Sequence, residues 1–147
     1  SRTQTVGDRA VSEWGVTPLF GQLPDPSVVA QELRSAVSGQ LDLAAVLAKR
    51  ESGPTVSAAP PVVSVADGSS DRFTVIEVRA HDGAGLLYRL ATALTQAGCD
   101  IVAARVATLG SEALDVFYVV DRATSLPLDP AAAAQVVASV GLALTAD

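Results

Sequence analysis

Residues 70–121 read SDRFTVIEVRAHDGAGLLYRLATALTQAGCDIVAARVATLGSEALDVFYVVD, and this stretch contains the pattern that decides the fold. Apolar and polar residues alternate over residues 73–80, which predicts a half-buried strand. A glycine-rich loop follows at residues 81–85. Residues 86–97 then carry apolar side chains at helical spacing, which predicts an amphipathic helix. Gly98 is the residue type that commonly follows the end of a helix.

Two further strands and a second helix are predicted after that helix. The β-prone runs 100–108 and 113–121 are separated by a predicted hairpin turn at residues 109–112. Asp129 and Pro130 then combine a capping side chain with a proline at the first helical position, which predicts the start of the last helix. The order strand, helix, strand, strand, helix predicts an α+β fold, with an antiparallel sheet and two helices on one of its faces.

An internal repeat relates the N-terminal residues to this pattern. Residues 1–16, SRTQTVGDRAVSEWGV, align with residues 104–119, ARVATLGSEALDVFYV. The alignment pairs Arg2 with Arg105, Gly7 with Gly110, Trp14 with Phe117, and, after one inserted residue, Asp25-Pro26 with Asp129-Pro130. We therefore expect residues 1–51 to hold the second half of an earlier copy and a connecting helix, with the first strand and helix of that copy preceding Ser1.

The linker between the two copies is predicted at residues 52–61, SGPTVSAAPP, because small residues and prolines without hydrophobic periodicity are typical of linkers. A complete second domain is then expected over residues 62–147. Half a domain cannot cover its own sheet, so residues 1–51 are expected to expose apolar surface and an unpaired strand edge. We expect this part to be poorly ordered or to pair with another chain.

Composition excludes several classes of function. The chain has 10 Lys and Arg against 16 Asp and Glu, a net charge of −6, and an acidic chain without a basic stripe is poorly suited to nucleic acid or anionic membranes. Its single cysteine, Cys99, and its single histidine, His81, exclude an internal disulfide and the familiar zinc spacings. Without a long apolar run or a signal peptide, a cytoplasmic fragment is expected.

The motifs resemble those of the last ACT domain, a ferredoxin-like fold, in the PII uridylyltransferase/uridylyl-removing enzyme family. That family carries a pattern like SDRYTVIEV, a D-x-P-G-LLY loop and a hairpin ending in DVFYV. Residues 70–78, 82–88 and 115–119 match these three motifs in order and spacing. Residues 39–43, GQLDL, resemble the connector between the family's two ACT domains. Ala84 stands where the family usually has proline, which loosens the loop.

The resemblance implies a regulatory region that is not itself an enzyme. Members of the family have a nucleotidyltransferase domain and a metal-dependent hydrolase domain, which attach a nucleotide to the PII protein or remove it, and some are thought to transfer AMP rather than UMP. Their ACT pair senses glutamine and switches between the activities. For this chain the resemblance implies no cofactor, because Mg²⁺ is expected only in the catalytic domains of the parent protein.

Candidate ligand-binding residues lie in the loop that opens the first helix of the domain. Free backbone N–H groups at a helix start suit the carboxylate of an amino acid, and Asp82 could accept the ammonium group or could instead cap the helix. In ACT pairs the loop of one domain usually faces the second strand of its neighbour, which adds three residues. The candidates are Asp82, Gly83, Ala84, Gly85, Leu86, Leu87, Cys99, Asp100 and Ile101.

Two functions remain open at this point. A regulatory module would bind glutamine or a similar small amino acid between paired ACT domains. An interaction module would only mediate dimerisation with another ACT domain, or docking to PII, and its glycines would serve a tight strand-to-helix connection. His81 is interpreted as a solvated loop residue and Cys99 as a small packed residue. The sequence contains no nucleophile–base pair that favours an independent enzyme.

Overall fold

The computed structural model describes residues 1–7, 9–18, 20–49, 59–66 and 70–145. The strands are β1 (Arg2–Val6), β2 (Arg9–Glu13), β3 (Val62–Val65), β4 (Thr74–His81), β5 (Cys99–Leu109) and β6 (Glu112–Asp121). The helices are α1 (Pro26–Val37), α2 (Leu43–Ala48), α3 (Leu86–Gln96) and α4 (Pro130–Thr145). The chain divides into two compact units, Ser1–Trp14 with Val56–Asp147, and Gly15–Thr55. Residues 52–58 of the predicted linker lie outside the described residues.

The first unit is built on one six-stranded sheet with the strand order β2-β1-β5-β6-β4-β3. Each pair of neighbouring strands is antiparallel. The predicted α+β, ferredoxin-like fold is confirmed, as is the order of elements from β4 to α4. The short run at Val62–Val65 also forms a strand, and it pairs with β4 at the edge of the sheet.

The core lies between one face of this sheet and the helices α3 and α4, which pack against each other. Ile76 and Phe117 face each other across β4 and β6 and are fully buried because the period of two directs both toward the helices. Leu90 of α3 and Val140 of α4 contribute the helix side of this core. Burial of each such side chain stabilises the fold by about 1.5–3 kcal/mol.

Local signals set the ends of these elements as predicted. The side chain of Asp129 accepts a hydrogen bond from the Ala132 N–H at 2.8 Å, which caps α4. Gly110 adopts a left-handed φ of 65° in the turn between β5 and β6. A residue with a Cβ is disfavoured in that conformation, so glycine there allows the tight hairpin.

The N-terminal hairpin of β1 and β2 has the same turn and register as the hairpin of β5 and β6, and its assignment to an earlier ACT copy stays a prediction. Gly7 has a φ of 64°, matching Gly110 at 65°. Arg2 lies opposite Glu13 just as Arg105 lies opposite Val116, so equivalent residues pair in the same register. The two hairpins therefore share turn geometry as well as sequence.

The expectation that the N-terminal part is poorly ordered or pairs with another chain is wrong for this hairpin. Strand β1 pairs with β5 of the same chain, from Arg2 opposite Arg105 to Gln4 opposite Ala103. The free backbone groups of β5 at the edge of the ACT sheet provide the partner. Strand β2 still lies at the edge of the sheet, and Trp14 is 53% exposed. Both observations agree with the prediction that the N-terminal part exposes a strand edge and apolar surface.

The second unit contains α1 and α2. The side chain of Asp25 accepts a hydrogen bond from the Ser27 N–H at 2.7 Å, and Pro26 begins α1 as predicted. The predicted connecting helix is α2, which begins at Leu43 because the Asp42 side chain caps it by accepting a hydrogen bond from the Ala45 N–H. None of the residues of α1 and α2 is buried.

Candidate ligand site at the start of helix α3

The loop between β4 and α3 is fastened to the β5–β6 hairpin by its backbone. The Asp82 N–H donates to the Ser111 carbonyl at 2.9 Å, and the Leu86 N–H donates to the Gly83 carbonyl at 3.2 Å. Gly85 lies directly before α3 with a φ of 81°, in the left-handed region. Glycine is required there for an unstrained backbone, so this residue sets the direction in which the helix leaves the loop.

No side chain of the described residues forms a capping hydrogen bond at the start of α3, whose N-cap is Gly85. The alternative that Asp82 caps the helix is therefore wrong, and its exposed carboxylate is left for other contacts. A helix start carries partial positive charge and N–H groups that lack partners within the helix. The N-terminal start of α3 can consequently bind an anionic group of a ligand.

The candidate residues of the loop differ in what they can offer. Asp82, Gly83 and Ala84 are exposed, so both their backbone and the Asp82 carboxylate can be reached from solvent. The Leu86 side chain is buried in the core, and that of Leu87 packs against it. These two leucines could contribute only backbone groups to a ligand.

The other three candidates lie at the opposite end of the sheet. Cys99 is opposite Asp121, whereas the loop is bonded to Ser111 at the hairpin end of β5. The eleven residues of β5 separate the two ends by roughly 33 Å at about 3.3 Å per residue. Cys99, Asp100 and Ile101 therefore do not join the loop within one chain, and their contribution to the loop of another copy stays a prediction.

Cys99 is also closed to a ligand by its surroundings. Its side chain is fully buried and belongs to the hydrophobic core. Burial raises the pKa of its thiol, and the negative charge of Asp121 acts in the same direction. The interpretation of Cys99 as a small packed residue is confirmed by this position.

Asp115 is a residue of this region that the sequence reasoning missed. It lies on β6 on the helix-covered face, it is 1% exposed, and neither of its carboxylate oxygens has a hydrogen-bond partner among the described residues. Burial, and to a smaller extent the negative charge of Asp82, raise its pKa to about 6. The backbone N–H of Ala107 and the ammonium group of Ser1 lower the pKa of Asp115 in part. The Ala107 N–H does not reach the geometry of a hydrogen bond with the carboxylate.

A sequence signal for Asp115 existed in the alternation of β6. Ala113, Asp115, Phe117 and Val119 occupy every second position, and all four are buried. The period of two therefore places an acidic side chain in the row of core residues. In the sequence, Asp115 also begins the DVFYV motif of residues 115–119.

No group of three or more His, Cys, Asp and Glu side chains in the described ranges could hold a metal ion. None of the helices within those ranges has the length and apolar character that crossing a membrane requires.

Comparisons with known proteins agree with this fold. Residues 74–134 match the model of the ACT domain family. The bifunctional uridylyltransferase/uridylyl-removing enzyme of Streptomyces coelicolor is 43% identical over 131 residues, which cover 86% of this chain and 16% of that protein. The enzyme of the same description from Mycobacterium tuberculosis strain H37Rv is 39% identical over 127 residues, 75% of this chain and 16% of that protein. The one from Rhodopseudomonas palustris is 38% identical over 98 residues, 63% of this chain and 10% of that protein.

No solved structure matches the chain. The chain spans 16% of the length of the Streptomyces and Mycobacterium relatives, so the similarity concerns one region of much longer proteins. Within that region the match to the family model begins at β4 and ends inside α4, and this segment contains most of the core residues. Residues 74–134 therefore form a domain of the ACT family, and the chain is similar to one region of the bifunctional uridylyltransferase/uridylyl-removing enzymes.

Proposed function

We propose that this chain is the amino-acid-sensing region of a bifunctional uridylyltransferase/uridylyl-removing enzyme, with glutamine as the first ligand to test. The observation that supports it most is the uncapped start of α3, where a left-handed Gly85 and an exposed Asp82 stand beside a helix end without a side-chain partner. The similarity to enzymes of that description supports the identity of the parent.

The chemistry of the loop suits a free amino acid. Such a ligand carries a carboxylate and an ammonium group on neighbouring atoms at neutral pH. The N–H groups at the start of α3 favour the carboxylate, and the Asp82 side chain is a partner for the ammonium group. An amino acid can therefore satisfy a positive helix end and a negative side chain together.

Regulation would follow from a shift between two arrangements of the domains. The loop is bonded to Ser111 in the β5–β6 hairpin, and β5 pairs with β1. A ligand that binds one arrangement more tightly favours it, and the shift cannot exceed the difference in binding free energy. In the parent, attached transferase and hydrolase domains with their Mg²⁺ would act on the PII protein according to that arrangement.

The test is isothermal titration of glutamine into the 147-residue chain, with glutamate and glycine as comparison ligands. A second protein, extended upstream so that the first repeat gains a strand and a helix, is titrated in parallel. We expect saturable binding of glutamine that weakens in Asp82→Asn and persists in the control Asp71→Asn, which removes an exposed carboxylate before β4. Absence of glutamine binding to both proteins would reject the proposal.

A second candidate function is an interaction module without a ligand. It is favoured by the pairing of β1 with β5, since equivalent strands of the two repeats already form one sheet within the chain. This function predicts that no amino acid binds either protein. It also predicts that Thr3→Pro, which places proline inside β1 where it faces β5, changes the oligomeric state measured by light scattering.

A further inference from the structure

The buried carboxylate of Asp115 has no hydrogen-bond partner in the described part of the chain, and the Ala107 N–H and the Ser1 ammonium group offset its burial only in part. Val78 of β4 and Val106 of β5 lie directly opposite it, so its cross-strand neighbours are apolar. Both carboxylate oxygens lack a hydrogen bond within the described residues. Burying a carboxylate without a partner is strongly unfavourable, and a group retained in this state calls for an explanation.

The repeat provides an internal comparison. Ser12 is the equivalent of Asp115 in the N-terminal hairpin, and Thr3 is the equivalent of Val106. Ser12 and Thr3 form a hydrogen bond of 3.0 Å between their hydroxyl groups, so the polar group in the first copy is satisfied across the strands. In the second copy the acid is larger, charged and buried, and its cross-strand neighbour is a valine that cannot bond to it.

Asp115 lies near the end of β4 that leads into the loop before α3, because its cross-strand partner Val78 is three residues before His81, the last residue of β4. Two residues before Asp115, Ala113 is opposite Ala80, and the loop begins immediately beyond with the bond from the Asp82 N–H to Ser111. The negative charge of Asp82 acts on the Asp115 carboxylate. The carboxylates of Asp82 and Asp115 and the uncapped N-terminus of α3 thus belong to the same region of the domain.

We propose that Asp115 binds the ammonium group of a zwitterionic amino acid together with Asp82, while the start of α3 binds the carboxylate of the same ligand. This proposal rests on the proposed sensing function and adds a residue from β6 to its site. It also defines the ligand class, because a molecule without a free ammonium group leaves Asp115 unpaired.

Entry of the ligand requires the loop to move. Asp115 is 1% exposed, so an ammonium group reaches it only if residues 82–85 shift away from the sheet. Residues 82–84 are exposed, and no buried side chain of theirs opposes such a shift. Binding is therefore coupled to a change in the loop, which is what a sensor requires.

The experiment is a cycle of two ligands and three proteins, all in the full chain. Glutamine and 4-carbamoylbutanoate, which lacks only the ammonium group, are titrated into the unchanged protein, Asp115→Asn and the control Glu77→Gln. Glu77 is exposed on the opposite face of β4, so its removal tests the general loss of a carboxylate. Thermal melting shows that each variant is folded.

We expect the unchanged protein and Glu77→Gln to prefer glutamine by about tenfold or more, and Asp115→Asn to lose most of that preference. A folded Asp115→Asn that keeps the full preference, or that loses affinity for both ligands equally, would overturn the proposal while leaving the sensing function intact. Absence of amino-acid binding by the unchanged protein would reject the sensing function and this proposal together.

A second readout does not depend on a variant. The carboxyl ¹³C signal of Asp115 in the unchanged protein is followed by NMR as a function of pH, with and without glutamine. An ammonium group beside the carboxylate favours its charged form, so glutamine should lower the pKa of Asp115. An unchanged titration in the glutamine-saturated protein would contradict a direct contact.

If Asp115→Asn does not fold, the ligand titrations use Asp115→Ser instead, because serine is the equivalent residue of the first repeat.

Discussion

Arg2 and Arg105 lie directly opposite each other across β1 and β5, and they are also equivalent positions of the internal repeat. The two hairpins are therefore related by a local twofold arrangement whose axis passes between these arginines. Each hairpin continues outward from the pair in the same register, with Glu13 opposite Arg2 and Val116 opposite Arg105. Like charges consequently meet at the centre of the sheet, and the β1–β5 pairing holds despite them.

Reversing one of these charges should strengthen the pairing. Arg105→Glu places opposite charges across β1 and β5, and opposed charged pairs differ from like pairs by about 0.2–1 kcal/mol. We expect a higher urea midpoint and slower amide exchange in β1, with the gain reduced in high salt. The control is Arg79→Glu, which lies opposite Leu114 and should leave β1 unchanged. Faster exchange of β1 in Arg105→Glu would contradict the observed register.

The position of the core can be tested with two leucines. Leu90 of α3 is 0% exposed and Leu142 of α4 is 71% exposed. Leu90→Ala should lower the free energy of unfolding by about 2–5 kcal/mol, because it removes buried methyl groups and leaves a cavity. Leu142→Ala should change it by less than about 0.5 kcal/mol. Urea denaturation monitored by circular dichroism measures both values, and equal losses would show that the assigned faces of the helices are wrong.

The loop before α3 offers a matched pair of glycines. Gly85 has a φ of 81°, so Gly85→Ala should lower the free energy of unfolding by roughly 1–2 kcal/mol through backbone strain. Gly83 has open space around it and no left-handed φ, so Gly83→Ala should be neutral or slightly stabilising. Thermal melting of the two variants distinguishes these effects. Similar melting temperatures would mean that the loop does not hold Gly85 in the left-handed conformation.

The raised pKa of Asp115 predicts a particular dependence of stability on pH. Its pKa is about 6 in the folded chain against an ordinary 3.8, so the folded state binds this proton more tightly than the unfolded state. The stability associated with protonated Asp115 is therefore fully present below pH 3.8, falls as the pH rises through about 6, and is absent above it.

Comparison with Asp115→Asn isolates this contribution. Between pH 4 and pH 7 the unchanged protein should lose roughly 1–3 kcal/mol of unfolding free energy relative to the variant. Asp25 and Asp121 have lowered pKa values and act in the opposite direction, but they are present in both proteins and cancel in the difference. Urea denaturation at several pH values provides the measurement. A difference that does not vary with pH would show that Asp115 titrates normally.

The boundaries of most helices and strands followed from local chemistry. Helix α1 begins after Asp25 and α4 after Asp129, where a capping side chain is followed by proline. The alternation in β4 and the helical spacing in α3 placed their buried residues correctly, including Ile76 and Leu90. Such signals can be read from a sequence because the atoms concerned lie within a few residues of each other.

The candidate site was predictable only in part. The loop with Asp82 and Gly85 could be identified because glycines and an acid precede an amphipathic pattern. Local spacing could not show that Asp82 leaves α3 uncapped, since a capping bond depends on the direction in which the left-handed Gly85 turns the chain. It also could not show that Cys99 lies at the far end of β5, buried in the core.

The sequence by itself determined the elements, their order, the repeat and the membership of the ACT domain family. Only the tertiary structure decided that β1 pairs with β5, with Arg2 opposite Arg105, and that Asp115 is buried without a hydrogen-bond partner among the described residues. The reason is the range of the interactions. Helical periods and caps depend on neighbours in the chain, whereas strand pairing and the burial of a charge depend on groups that only folding brings together.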